Sequence, residues 1–306
     1  MITLKCKNCG GEMSVDHHGS LCCEYCGRKG QFSDRELEGY RTFRKEFLNY
    51  LRRLNDEKTD PEVYYDGIWN ASDTIGFVTA SGEDIRVRYI YEAEDDIAKM
   101  YVARENVIFV FDAEHASYAN KMVQNVQNLE YPAADVKNLR SCFPIISGSW
   151  ELQDGGVLVA IQRKESAFPL AVFGALEPVH AAWIVSRMEN ICCVLEYNEV
   201  HHGALSVDSM FVDPFTHEGM LLGGWWNAGP KTGRFFEGSD LKDLRRVART
   251  IMGVRAVSAP KEFLSFLEER PKADAYTDFE AWDRVIEKGF GGKRFMKMDA
   301  KGNLLV

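Results

Sequence analysis

Two short cysteine motifs constrain this chain more than any other feature in it. Cys6 and Cys9 are followed by Gly10 and Gly11, Cys23 and Cys26 by Gly27, and thirteen residues separate the two pairs. In each CxxCG the two thiolates can face one point, while the glycine lets backbone amides turn toward sulfur. Four thiolates satisfy a tetrahedral Zn²⁺. Cys6, Cys9, Cys23 and Cys26 are therefore the expected metal ligands, and structural zinc is the expected cofactor. About thirty residues cannot bury a core alone, so metal binding must supply the folding free energy of residues 1–31. Cys22 is spare, because using it in place of Cys23 spoils the CxxC spacing. His17 and His18 fall in the intervening turn and read as exposed loop histidines, with their role open. A redox function is the rival reading for the cysteines, but redox CxxC pairs are single and open a helix.

The rest of the composition excludes several classes. The 306 residues carry a net charge of −9, which argues against broad binding to a nucleic-acid backbone. Lys5, Lys7, Arg28 and Lys29 are nearly cancelled by Glu12, Asp16 and Glu24. A structural role or docking of a protein partner is thus favoured for the cysteine module, with nucleic acid left as a second option. At 45% hydrophobic and 12% aromatic, the chain has room for one large domain and a small one. No apolar run reaches the eighteen or so residues of a membrane span, so no membrane association is expected. The opening MITLKCKNCG has no apolar signal core, and a cytoplasmic location is expected.

Residues 33–57 read as a long amphipathic helix ahead of the main body. Ser33 and Glu36 form an S-x-x-E capping box, and Leu37, Tyr40, Phe43, Phe47, Tyr50, Leu51 and Leu54 recur at three- and four-residue steps. The stripe should pack on the main domain, with a second copy of the helix as the alternative. Lys58-Thr59-Asp60-Pro61 should end it. Residues 62–165 then carry alternating and β-branched runs (IGFVTA, DIRVRYIY, MYVARENVIFVF). A helix is expected from Glu114 to Leu129, followed by strands near FPIIS and VLVAIQ. Phe168-Pro169-Leu170 and Glu177-Pro178 suggest a hinge, and the helix that starts at Pro178 has apolar residues spread round its period.

The stretch Glu196–Trp226 follows that helix. It contains His202-Gly203-Ala204-Leu205, then Ser209, a short apolar strand Met210-Phe211-Val212, a turn through Asp213-Pro214, and a second strand Met220-Leu221-Leu222 running into LLGGWW. This order of parts resembles the protein-kinase-like fold, whose loop reads H-R-D-L-x-x-x-x-N, or H-G-D-L in bacterial relatives. His202, Gly203 and Leu205 match, and Asp240 stands where the fold has an aspartate tying the loop backbone, although a helix N-capping role explains Asp240 equally well. The resemblance implies an α+β, bilobal body: a strand-rich small lobe over 62–166 and a mostly helical large lobe over 167–306, preceded by a zinc ribbon (1–31) and a helical linker (33–58).

The departures from the family pattern bear on function. The catalytic Asp is replaced by Ala204, the metal-holding Asn by Ser209, and the D-F-G Asp falls at or beside Gly223. Sliding the alignment by one residue puts Asp208 on the Asn position but still supplies no base. The strand before the helix has Phe109 and Phe111 where a Lys would sit, and the helix offers Gln124 and Gln127 but no Glu. Ala80-Ser81-Gly82-Glu83 is not a glycine-rich loop, and Lys99 reads as a solvated strand lysine. The resemblance therefore implies a degraded, non-catalytic kinase (a pseudokinase) with no catalytic residues and no ATP or Mg²⁺ requirement, acting as an interaction or regulatory protein. An atypical nucleotide-binding phosphotransferase using Asp208, and a nucleic-acid-associated regulator acting through the ribbon, are the competing functions. Cys192 and Cys193 fall mid-helix, where thiols pack as small apolar groups. KEFLSFLEERP and YTDFEAWDRVIEKGFG read as two further helices, and Arg294–Met298 as a terminal arm.

Overall fold

The computed structural model describes residues 4, 6, 8, 13–15, 21–23, 25–30, 32–54, 67–70, 72–132, 136–232 and 238–292, the side chains of 14, 15, 136 and 137 excepted. Cys9, His17, His18, the stop at Lys58–Pro61 and the arm at Arg294–Met298 lie outside the described residues. Contacts divide the chain into two units. The first comprises residues 1–4, 31–124 and 144–167, and the second residues 5–30, 125–143 and 168–306.

In the first unit, helix α1 (Asp34–Leu54) starts where the capping box places it. The Ser33 amide and hydroxyl donate to Glu36 Oε2 at 2.7 and 2.6 Å. Its Tyr40, Phe43, Phe47, Tyr50 and Leu51 are buried, so the stripe is covered within the chain. A short helix α2 (Gly67–Asn70), which periodicity did not reveal, buries Ile68 and Trp69 and meets Tyr50 edge-on at 6.1 Å. A six-stranded antiparallel sheet follows: β3 (Asp73–Val78), β4 (Asp84–Glu94), β5 (Lys99–Ala103), β6 (Asn106–Phe111), β7 (Ile146–Glu151) and β8 (Val157–Gln162), in the order β3-β4-β5-β6-β8-β7. Helix α3 (Ala116–Gln127) and a one-turn helix α4 (Val136–Arg140) lie between β6 and β7 in sequence, and the boundary between units falls inside α3.

The sheet curls until its two edge strands meet. Thr79 bridges Leu152, Ala80 N donates to Glu151 O at 2.8 Å, and Gln153 N donates to Val78 O at 2.9 Å. Val87, Tyr89, Tyr101, Ile108, Leu152, Leu158 and Ala160 form one apolar cluster, with Ile75, Phe77 and Trp150 packed against it. On β6 the alternate residues Val107, Phe109 and Phe111 are also fully buried. Burial on both faces explains why β6 and β8 read as continuous apolar runs rather than alternating ones. Two sequence boundaries shift for local reasons. Asp112 accepts the His115 amide at 2.9 Å and so delays the start of α3. Pro144 donates no ladder hydrogen bond, and β7 begins after it, at Ile146.

The second unit opens with the hairpin β1 (Met13–Val15) and β2 (Leu21–Cys23), in which Met13 faces Cys23. Further on come β9 (Phe168–Pro169), a 3-10 turn over Leu170–Val172, α5 (Pro178–Tyr197), β10 (Val200–His201), β11 (Met210–Asp213), β12 (Glu218–Leu221), β13 (Gly229–Pro230), α6 (Ser239–Met252), α7 (Lys261–Glu268) and α8 (Ala275–Phe290). β11 is the middle strand between β12 and β9, and β10 pairs with β13. Helix α5 packs against α6, α8 and β12, which is why its apolar residues surround its axis instead of forming a stripe. α6 and α8 are pinned together by Arg245, whose Nη2 reaches both Asp278 oxygens at 2.7 and 2.9 Å with both side chains buried. Among the described residues no helix is long and apolar enough to cross a membrane.

Candidate functional site

The first candidate site is the thiol cluster. The Sγ atoms of Cys6, Cys23 and Cys26 all lie within 4.8 Å of one another, and those of Cys6 and Cys26 are 3.7 Å apart. A tetrahedron with Zn–S of about 2.3 Å has edges of about 3.8 Å, so the spacing fits thiolate ligands of one ion. Cys23 and Cys22 are neighbours on β2 and point to opposite faces. Cys23 is fully buried toward the cluster, whereas the Cys22 thiol donates to the Gly27 carbonyl at 3.2 Å. Gly27 has φ +70°, and its amide donates to the Cys23 carbonyl at 2.8 Å, closing the turn that carries Cys26. Glycine takes that backbone conformation without a Cβ penalty. Cys6, Cys23 and Cys26 can thus hold a metal ion together. Tyr25, inside the same turn, donates to the Phe173 carbonyl at 2.8 Å. No motif pointed to that bond, which joins residues 148 positions apart.

The second candidate site is the loop from His202 to Ser209. It leaves β10 and returns as β11, and its backbone is organised from below by Asp240 in the first turn of α6. The Asp240 oxygens accept the amides of His202 at 2.8 Å and Gly203 at 2.9 Å. Those are charge-assisted bonds in a buried setting, the strong class of protein hydrogen bond. Gly203 has φ +75°, the left-handed turn that lets both amides reach one carboxylate. The His202 ring is fully buried. Its Nε2 donates to the Gly223 carbonyl at 3.0 Å, and its Nδ1 accepts the Ala204 amide at 3.3 Å, which sets the neutral tautomer. Burial pulls its pKa down to about 4, against the opposing pull of Asp240. Trp225 stands edge-on to His202 at 5.0 Å, with its Nε1 donating to Leu221 O at 2.9 Å.

Ser206 and Ser209 close the loop on itself. The Ser209 hydroxyl accepts the Ser206 amide at 2.8 Å, and the Ser206 hydroxyl accepts the Ser209 amide at 3.1 Å. Ser209 also holds the next segment, because its carbonyl accepts the amides of Leu222 and Gly223 at 3.0 and 3.1 Å. At Gly223 a Cβ would stand 3.1 Å from Ser209 Cα, and at Gly224 (φ +80°) it would stand 2.8 Å from His202 Cε1. A longer side chain at either position requires the loop to shift. In the first unit, Lys99 is paired with Glu94 at 3.3 Å across β4 and β5 on the surface. Phe109 and Phe111 are buried core residues.

Two buried groups had no motif to announce them. Glu189 on α5 is wholly buried, and burial with the Asp278 carboxylate nearby drives its acid well above the usual range. Arg163 is held by the carbonyls of Ala103 at 3.0 Å, Arg104 at 2.9 Å and Glu165 at 3.1 Å, and also by Ala167, and burial lowers it to about 10. Cys192 and Cys193 are pushed up by burial, Cys193 to about 12, so neither is a ready thiolate.

No protein-family model matches the chain, and no curated protein matches it. Solved structures similar to it include vaccinia related kinase 3, at 13% identity and a TM-score of 0.47 over 70% of this chain and 91% of that one. The Rad53 kinase domain with SCD2 is similar at 10% identity and a TM-score of 0.47, covering 70% of this chain and 94% of that one. The Drosophila melanogaster PAN3 pseudokinase is similar at 9% identity and a TM-score of 0.43, over 63% of this chain and 61% of that one. These neighbours are protein kinases and a pseudokinase.

Proposed function

We propose that this chain is a non-catalytic, kinase-like interaction or regulatory protein with a zinc-stabilised ribbon. The lobes are assigned to residues 62–166 and 167–306, the ribbon to 1–31 and the linker helix to 33–58. One observation carries the reading. The bonds that hold the 202–209 loop are complete, while the groups that would do phosphoryl transfer on it are missing. Asp240, His202, Ser206 and Ser209 are all committed to backbone or to one another. Phosphoryl transfer needs a carboxylate to orient the acceptor and oxygen ligands for Mg²⁺. Ala204, Gly223 and Gly224 offer neither, and the Ser209 hydroxyl is already engaged. In this reading the loop is kept as a scaffold for the second unit's core, and the partner is another protein.

The test is an assay of phosphate transfer from labelled ATP with Mg²⁺ or Mn²⁺, to the chain itself and to generic protein acceptors. The reading expects no transfer above a boiled control. Metal-dependent transfer that Asp208→Ala abolishes would overturn it and establish the phosphotransferase alternative.

A further inference from the structure

Tyr25 lies between two of the clustered cysteines, Cys23 and Cys26. Its hydroxyl donates to the Phe173 carbonyl at 2.8 Å, with the Leu170 carbonyl at 3.4 Å beside it. Leu170 opens the 3-10 turn that follows β9 and Phe173 caps its C-terminal end, and both are fully buried. That turn is itself tied to the loop. Ala171 N donates to Val207 O at 2.9 Å, and β9 pairs with β11 through Phe168–Val212 and Pro169–Phe211. One side chain and one turn therefore connect the thiol cluster to the His202–Ser209 loop, all within the second unit.

The position of Tyr25 depends on the knuckle that carries it. A module of about thirty residues without a core holds its shape through its metal. We propose that Tyr25 is a metal-dependent latch. With metal bound by Cys6, Cys23 and Cys26, it clamps the 170–173 turn and steadies the 202–209 loop, and loss of the metal releases both. The proposal rests on the metal reading of the cysteine cluster and gives the ribbon a task within its own chain. Tyr25 is a positioning residue here: it touches no ligand and acts through the turn.

Hydrogen exchange on the full chain tests this, comparing zinc-loaded protein, chelator-stripped protein and zinc-loaded Tyr25→Phe. Exchange of the amides in 168–176 and 202–209 is expected to quicken on stripping and, with zinc still bound, in Tyr25→Phe. By reciprocity, the lost hydrogen bond should weaken zinc binding about five-fold in competition with a chromogenic chelator, at an unchanged one ion per chain. One zinc per chain with identical exchange in those stretches, loaded or stripped, overturns the latch and leaves the metal site standing. Exchange that rises throughout the second unit on stripping also overturns it, since the ribbon is then a general stabiliser. A chain that takes up no zinc overturns both readings.

Discussion

Around Cys6, Cys23 and Cys26 the groups that would do the chemistry are in place and little else is. Around His202 the supporting bonds are in place, and in the proposed reading the chemical groups are gone. In the proposed metal reading the ligands of this module are its structure, because its described residues form a hairpin of two three-residue strands and the turn that carries Cys26. In the loop, on that same proposed reading, the structure stands without the chemistry. Asp240 and the His202–Gly223 bond fix its path whether or not a carboxylate occupies position 204. Supporting atoms and reacting atoms are thus separable in a loop of this kind, whereas in a metal knuckle they coincide.

That contrast can be broken most forcefully at the ribbon. If the proposed metal reading holds, stripping the metal, or Cys26→Ser, removes the main source of its folding free energy, about 10–16 kcal/mol in isolated zinc-finger peptides. The expected result is loss of bound zinc by mass spectrometry and loss of amide protection across 13–30, and a hairpin unchanged by chelation would contradict it. Next comes Asp240→Ala, which leaves two buried amides without their charged acceptor. A cost of about 3–5 kcal/mol is expected in urea unfolding, against about 1–2 kcal/mol for Ser209→Ala, which loses neutral bonds. Equal losses would mean that Asp240 does not organise the loop.

A smaller effect is expected from pH. His202 is neutral in the native chain, with its pKa near 4, while its unfolded counterpart titrates near 6.5. The unfolded state therefore binds more protons between those values, and stability falls as pH drops from 6.5 toward 4, by at most about 3 kcal/mol. His202→Asn should flatten that slope in a series of denaturant melts. The smallest expected change is at Glu189, where the shift has the opposite sign. Burial raises its acid well above the usual range, so its contribution is full below the unfolded carboxyl range and declines as pH rises. Glu189→Gln should be less sensitive than the wild type between pH 5 and pH 8 in thermal melts. An identical pH response would indicate that Glu189 ionises freely.

Much of this was legible in the residues, and the rest was hidden for identifiable reasons. The α1 stripe and its cap, the strand-helix-strand order of the first unit and the Asp240 tie are local patterns or spaced motifs. The cysteine spacing marked Cys6, Cys23 and Cys26, and strand alternation accounts for the exclusion of Cys22. Helix α2 is a single turn, too short to show a period. The closure of the sheet at Thr79–Leu152, the bonds from Arg163 to the Ala103 and Arg104 carbonyls and the Tyr25–Phe173 bond each join residues 59 or more positions apart. Hydrogen bonds to backbone carbonyls leave no trace in residue type at the accepting end. Glu189 was hidden for a different reason, since an acid in a helix looks solvent-facing until neighbouring helices cover it.

The most direct test of the central claim, that the loop has kept its frame and lost its chemistry, is a thermal-unfolding titration of zinc-loaded protein with ATP, with and without Mg²⁺. Binding to the native state must stabilise it, by about 2.7 kcal/mol at a hundred times the dissociation constant. No Mg²⁺-dependent shift is expected at millimolar ATP, because Ala204, Gly223 and Gly224 supply no ligand and Ser209 is engaged. A shift that requires Mg²⁺ and disappears in Asp208→Ala would show that the loop still holds a metal–nucleotide complex, and would contradict that claim.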